Sequence, residues 1–288
     1  MKKRLMAAVL STAMAATMLL TGSISVQAAD AAAANDPAVE LIFTSVSVSG
    51  DSHTEAMYEF ADKVEELSGG SVTCKCYDNG SLFSSENEFD ALLNGDADLA
   101  YISFPTIATQ IPSYSMFASG YLFSSYEHMT SVLNGDIGLN KIRPQIEETL
   151  NIKPLSSFYL GSRVINTREK EINSYDDMSG LLLRMPNSEA WLFLGEALGA
   201  NPTPLSFSEL YTALQTGAVD AQDNPLPSIE SAKFYEVTKY IAITNHVVDS
   251  IMPCINGDTW NSMTEAQQEA VTAVSYTHLR AHETLSDL

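Results

Sequence analysis

Residues 180–225 read GLLLRMPNSEAWLFLGEALGANPTPLSFSELYTALQTGAVDAQDNP. A single arginine, Arg184, stands inside the apolar run from Leu181 to Met185. Burying a guanidinium without a partner is strongly unfavourable, so a charge in such a run needs a reason. The run is short and stops at Pro186, which predicts a buried strand. Asn187 and Ser188 then open a helical pattern. This places Arg184 and Asn187 at the carboxyl end of a strand, where open α/β sheets bind ligands.

Working outward, arginine is scarce. Between Asp30 and Val274 it occurs only at Arg143, Arg163, Arg168 and Arg184, and three of these fall within 22 residues. The rest is acidic: the formal charge is −21, and it becomes −24 without Lys2, Lys3 and Arg4. Such a field repels nucleic acid and anionic lipid, so no nucleic-acid partner is expected. A clustered arginine minority suits one small anion gripped by forked hydrogen bonds.

The amino terminus reads as a secretory signal peptide over 1–28. Met1 to Arg4 is basic, Leu5 to about Leu20 is apolar, and Val26-Gln27-Ala28 resembles a cleavage site. A lipoprotein signal would need a cysteine where Ser23 stands. Residues 29–38 read as a flexible leader, and the mature chain is expected in the periplasm. Cys74 and Cys76 lie two apart on an apparent strand, share a face and are badly placed to bond each other. With Cys254 they read as small core or surface residues.

Strand and helix signals alternate. Strands are predicted at Val39–Phe43, Ser71–Tyr77, Ala97–Tyr101 and Leu155–Tyr159. Helices are predicted where Met57, Phe60, Val64 and Leu67 share a face ahead of Gly69, at Glu86–Asn94, and at Tyr126–Leu133. The alternation argues for an α/β fold with largely parallel sheets. Ala91–Ala100 (ALLNGDADLA) and Ala213–Gln222 (ALQTGAVDAQ) share the form A-L-x-x-G-x-x-D. Each reads as a helix stopped by a left-handed glycine and followed by a strand. Two such joints suggest two similar lobes with a ligand cleft between them.

Catalytic patterns are missing from the sequence. There is no G-x-S-x-G elbow, P-loop or G-x-G-x-x-G after a strand. His53, His128 and His246 are far apart and show no metal spacing, and His246 reads as a structural histidine. Asp176-Asp177 suits a helix start. No catalytic residue, metal or cofactor is expected.

With these residues in hand, the chain resembles the substrate-binding proteins of tripartite ATP-independent periplasmic (TRAP) transporters, DctP type, from about Val39 to Val274. The likeness rests on GLLLRMPNSEA, ALGANPTPLSFSELYTALQTGAVDAQDNP and KFYEVTKYIAITNH occurring in order. It implies a two-lobed periplasmic-binding-protein-like fold: 39–161 as lobe I, 162–249 as lobe II, and 250–274 returning to lobe I. It implies that Arg184 pairs with a ligand carboxylate, assisted by Arg163, with Asn187, Asn224 and Phe207 completing the site. It further implies delivery of a small organic acid to membrane subunits of the transporter. Departures are Leu183 for the family's lysine and Asp223 for its glutamate. Sialate-binding members carry charged contacts near positions held here by Ser85, Ser103 and Thr106, which argues against sialic acid.

An alternative is a solute receptor serving an ABC transporter or a sensor kinase, and a third reading is a secreted enzyme. A helix is predicted over Thr264–Val271. From Ser275 the character changes: SYTHLRAHETLSDL matches nothing in the family and reads as a non-native tail on a truncated gene. His278 and His282 are four apart but lack a third metal ligand.

Overall fold

The structure is a computed structural model that describes residues 35–285. The signal peptide and the leader up to residue 34 lie outside the described residues. The first half comprises β1 (Val39–Thr44), α1 (Ser52–Leu67), β2 (Val72–Tyr77), α2 (Glu88–Asn94), β3 (Leu99–Ile102), α3 (Phe104–Ile107), α4 (Tyr126–Leu133), α5 (Arg143–Leu150) and β4 (Ile152–Pro154). Then come β5 (Phe158–Thr167), β6 (Leu182–Met185), α6 (Glu189–Ala197), β7 (Asn201–Pro204), α7 (Phe207–Thr216), β8 (Ala221–Pro225) and α8 (Leu226–Ser231). The chain closes with β9 (Tyr240–Asn256), α9 (Gly257–Ser262) and α10 (Glu265–Leu285).

The strands form one path, β2-β1-β3-β9-β5-β8-β6-β7, with β4 also on β9. Parallel pairs lie at the two ends of this path: β1 with β2 and β3, β6 with β7 and β8. The middle is antiparallel, because β9 pairs with β3, β4 and β5, and β5 with β8. The expectation of largely parallel sheets is therefore corrected to a mixed sheet. Two long strands, β5 and β9, run against their neighbours, and an antiparallel pair needs no helical crossover. The expected strand Leu155–Tyr159 likewise resolves into β4, which ends at Pro154, and β5, which begins at Phe158.

Each end of the sheet is covered on both faces, giving two lobes. In the first, Leu41, Phe43, Phe60 and Val271 pack on one side, and Leu92, Phe104, Ile107 and Ile146 on the other. In the second, Leu183, Met185, Trp191 and Leu194 face one way, and Val164, Leu210, Leu214 and Phe234 the other. Helix on sheet on helix is the layering that buries both faces of a parallel strand set. The two glycine joints are built alike: Gly95 (φ 79°) and Gly217 (φ 80°) are both left-handed residues closing a helix. Cys74 and Cys76 are half-buried against the first core, and all three cysteines are free. The backbone of α10 passes Ser275 without a break and continues to Leu285.

One group in the first lobe is out of place energetically. Glu88 opens α2 and is buried, with Oε1 lacking any hydrogen-bond partner. Burial pushes its carboxyl up to about 8, and the neighbouring Thr44 hydroxyl opposes this only in part. The folded chain therefore keeps the proton up to about pH 8, while an ordinary glutamate releases it near 4.5. The folded state binds more protons across that window, so this contribution is full below the unfolded value and is lost as pH rises through the folded one. The loss is on the order of 5 kcal/mol. Denaturant titrations at pH 5.5 and 8.5 should show Glu88→Gln flattening the wild-type decline. An unchanged slope in the variant would place the dependence elsewhere.

Candidate functional site

Arg184 is the third residue of β6, flanked in register by Thr203 of β7 and Gln222 of β8. Its side chain is buried. Nε donates to the Leu205 carbonyl at 2.8 Å. Among the described residues, Nη1 and Nη2 make no hydrogen bond and no ion pair. Burial lowers its pKa to about 10; the charge of Asp223 opposes this, and that of Arg163 adds to it. Arg184 is thus still a cation at neutral pH, desolvated, with its terminal fork unused. A planar fork in that state is matched by a carboxylate.

Arg163, on β5, has its donors engaged by the protein. Nε and Nη2 grip the two carboxylate oxygens of Asp223 at 2.9 and 2.8 Å, and Nη1 donates to Asp249 Oδ2 at 2.8 Å. The guanidinium also lies 4.4 Å from the Trp191 ring centroid, a cation–π contact. Burial works against this charge, yet Asp223 and Asp249 together hold it protonated well above its usual range. Burial likewise opposes ionisation of Asp223, but Arg163 and His246 drive its carboxyl far below the ordinary value. For Asp249, burial prevails over Arg163 and its pKa rises.

The same cluster fixes His246. Its Nε2 lies 3.1 Å from Asp223 Oδ2, and its Nδ1 lies 2.8 Å from the Thr244 hydroxyl. An ionised carboxylate only accepts, so Nε2 carries the proton and donates, and the Thr244 hydroxyl serves Nδ1. Asn224 sits in the next link. Its Nδ2 donates to Gln222 Oε1 at 2.6 Å, and its Oδ1 accepts from Arg163 Nη2 at 3.4 Å. Gln222 in turn donates to Asn166 Oδ1 at 3.1 Å.

Asn187 is exposed on the turn between β6 and α6, with no side-chain hydrogen bond among the described residues. Phe207 is the first residue of α7, half-buried, its ring edge-on to Phe234 at 5.6 Å. All five residues singled out from the sequence belong to the second lobe. Arg184, Asn187, Asn224 and Phe207 sit at or just past the carboxyl ends of the parallel strands β6, β7 and β8, and Arg163 lies on β5 opposite the end of β8. The sequence reading has Arg163 assisting at the ligand; in the structure it is the cation of a buried ionic cluster beside Arg184.

The first lobe meets the second through Ser85, Asp51 and Tyr121, whose amide donates to the His246 carbonyl at 2.7 Å. Ser85 Oγ accepts from the Phe207 amide at 3.4 Å. Asp51, the N-cap of α1, accepts from the Ser231 hydroxyl at 3.0 Å. An apolar hollow of about 430 Å³ elsewhere in the first lobe, lined mainly by side chains such as Tyr114, Phe117 and Val132, does not include Arg184. Among the described residues no group of three or more His, Cys, Asp or Glu is arranged to hold a metal ion. No helix among them is long and apolar enough to cross a membrane.

Sequence reasoning passed over Asp249 and Trp191, took His246 as structural, and noted Asp223 as a departure and as one of an acidic pair with Asp220. Asp249 carries the signal that revealed Arg184: a charge after Val247-Val248 and before Ile251.

Comparison with known proteins identifies the family and the fold. The family described as bacterial extracellular solute-binding protein, family 7 (DctP) matches residues 43–284. The chain is 34% identical over 228 residues to a sialic acid-binding periplasmic protein of Vibrio cholerae, covering 78% of this chain and 70% of that one. Among solved structures, a TRAP periplasmic solute-binding protein from Roseobacter denitrificans with bound 3-deoxy-D-manno-oct-2-ulosonic acid superposes with a TM-score of 0.80. The identity is 38%, and the match covers 85% of this chain and 80% of the other. A sugar acid binding protein from Advenella mimigardefordensis in complex with galactonate gives a TM-score of 0.83 at 28% identity, covering 88% and 81%.

Proposed function

The chain belongs to the bacterial extracellular solute-binding protein family 7, and from that premise we propose that it captures a small organic acid in the periplasm and delivers it to the membrane subunits of a TRAP-type transporter. The observation that carries the reading is the unused, desolvated fork of Arg184. A carboxylate supplies the two acceptors and the negative charge that this fork lacks. Asn187, exposed beside it, and Phe207, at the start of α7, supply a polar and an apolar contact. Asn224 is held in a fixed orientation by Gln222 and Arg163. We read Arg163 as a positioning residue acting through Asn224 and Asp223.

Strands β5 and β9 cross between the lobes, so closure hinges there, near the 161/162 and 249/250 boundaries. Closing brings Ser85 to Phe207 and Asp51 to Ser231. The Thr244 hydroxyl meets His246, but Asp223 at the other ring nitrogen is committed to Arg163, so we read this row as structural and the protein as binding without turnover, with neither metal nor cofactor. The ligands of these relatives, a sialic acid and two sugar acids, are all carboxylates. The lack of charged side chains at Ser85, Ser103 and Thr106 argues against carrying sialic acid over.

A thermal-shift screen of organic acids tests the reading. A ligand at about 100 times its Kd stabilises by roughly 2.7 kcal/mol. At least one monocarboxylate should raise the melting temperature, and its amide should not. Stabilisation only by uncharged solutes, or conversion of the bound acid by pure protein in mass spectrometry, would overturn it.

A further inference from the structure

We propose that the apolar hollow of the first lobe is a second ligand site, separate from Arg184, and that it takes an aromatic carboxylate. The hollow holds about 430 Å³, a size that suits a small molecule rather than a water cluster. Its walls come from a 3-10 turn (Pro112–Ala118), α4, a π-helical turn (Gly138–Ile142) and the start of α5. Its lining residues Phe117, Phe123 and Val132 pack on the core that holds Leu92, Phe104 and Ile146.

Two features of the wall point to a ligand. The first is the π turn, a rare geometry that recurs at functional sites. Here the Arg143 amide donates to the Gly138 carbonyl, five residues back. The turn seats tightly on the end of α4, since a Cβ at Gly138 would lie 1.8 Å from the Leu133 carbonyl. It brings Lys141 and Ile142 into the lining. The second is a run of rings. Phe117 stacks on Phe104 at 4.1 Å, Phe123 lies 6.2 Å from Phe117, and His128 meets Phe123 edge-on at 5.6 Å. Rings already arranged in stacked and edge-on pairs extend readily to a flat aromatic guest.

The nitrogen groups of the lining are all left as donors. The Ser124 amide donates to His128 Nδ1 at 3.3 Å, which puts the ring proton on Nε2. That Nε2 has no partner among the described residues. Gln145 Oε1 accepts from the Tyr114 hydroxyl at 3.1 Å, so its amide NH2 is the group left to donate. Lys141 is the third donor. Among the first lobe's other basic residues, Lys63, Lys75 and Lys153 each pair with a glutamate. Arg143 is buried, bonded to Asn134 and the Leu155 carbonyl. Lys141 has neither ion pair nor hydrogen bond among the described residues. No aspartate or glutamate lines the hollow; Glu127 and Asp136, next in sequence to His128 and Ile137, are exposed. Three donors, one of them a cation, beside an aromatic wall are met by a carboxylate carried on an aromatic ring.

The test is fluorescence and calorimetric titration of the full chain with 2-naphthoate, and with 2-naphthamide as its uncharged counterpart. Wild type should bind one equivalent of 2-naphthoate, more tightly than the amide. Lys141→Gln should weaken 2-naphthoate by about fivefold, the upper end for an exposed ion pair, and leave the amide unchanged. Val132→Trp, which fills the hollow, should remove both. Arg184→Met should bind 2-naphthoate as wild type does, which separates this site from the cleft. Melting temperatures check that the variants fold; Lys141 is exposed, so its variant keeps the test decisive if Val132→Trp does not fold. Absence of saturable 2-naphthoate binding, equal affinity for acid and amide, or loss of binding in Arg184→Met in place of Lys141→Gln would overturn the inference. A concentration-dependent dimer that Val132→Trp abolishes, with no 2-naphthoate bound, would overturn it too and assign the hollow to a second copy of the chain.

Discussion

Replacing Arg184 by methionine is expected to remove most of the ligand affinity and, in the same protein, to raise the melting temperature of the unliganded chain. The two effects share one cause. The guanidinium is buried, its one hydrogen bond goes to the Leu205 carbonyl, and no carboxylate of the described chain pairs with it. Removing an uncompensated buried charge relieves a desolvation cost, and a well-packed apolar replacement is neutral to stabilising, here by ~1 kcal/mol or more. The Leu205 carbonyl, orphaned in exchange, offsets part of this. Binding moves the other way. Truncating one partner of a buried charge pair costs about 2–5 kcal/mol, or roughly 30- to 5,000-fold in Kd. Arg184→Lys should also lose most of the affinity, because an ammonium cannot make the planar two-point contact. Calorimetry and melting curves on the three proteins decide the matter. An unchanged Kd in the lysine variant would sink the assignment. A methionine variant that melts lower while still binding would show Arg184 to be a structural cation.

That opposition also explains why this part of the site was legible in the sequence. An arginine inside Leu181–Met185 conflicts with its surroundings, and such conflicts mark function. The strand, its stop at Pro186 and the helix after Ser188 are local features, set by a few neighbouring residues. The glycine joints at Gly95 and Gly217 are local in the same way. What was not legible depends on pairing between distant strands. Arg163 meets Asp223 and Asp249 only because β5 lies antiparallel to both β8 and β9, over separations of 60 and 86 residues. Periodicity along the chain carries no information about that register. The seventeen residues of β9 were hidden for a related reason: Tyr240, Ile241 and Ile243 are exposed on its second-lobe half and Met252 to Asn256 is buried on its first-lobe half, so no single alternation runs along it. A strand that serves two lobes presents two patterns.

The ionic cluster itself makes a prediction as large as that for Arg184 and opposite in kind. Arg163→Met should destabilise the protein by about 3–5 kcal/mol, because it leaves Asp223 and Asp249 buried without their cation. The pH dependence separates this from a simple packing defect. In wild type Asp223 titrates below its unfolded value, so its contribution is present above that value and is lost as pH falls. Without Arg163, burial dominates at both carboxyls and each would rather be protonated. The folded variant then binds more protons than the unfolded chain, and the difference between wild type and variant should narrow as pH falls from 7 toward 5. Asp223→Asn added to Arg163→Met removes one of the two stranded charges and should recover part of the loss at pH 7. Chemical denaturation of the three proteins at pH 5 and 7 measures all of this. If Arg163 served the ligand directly, its loss would weaken binding at nearly full stability. If it positions Asn224 and shields Asp223, stability falls first, and the surviving affinity falls by less than on loss of Arg184. A fully stable Arg163→Met protein that no longer binds would return Arg163 to the ligand's side of the site.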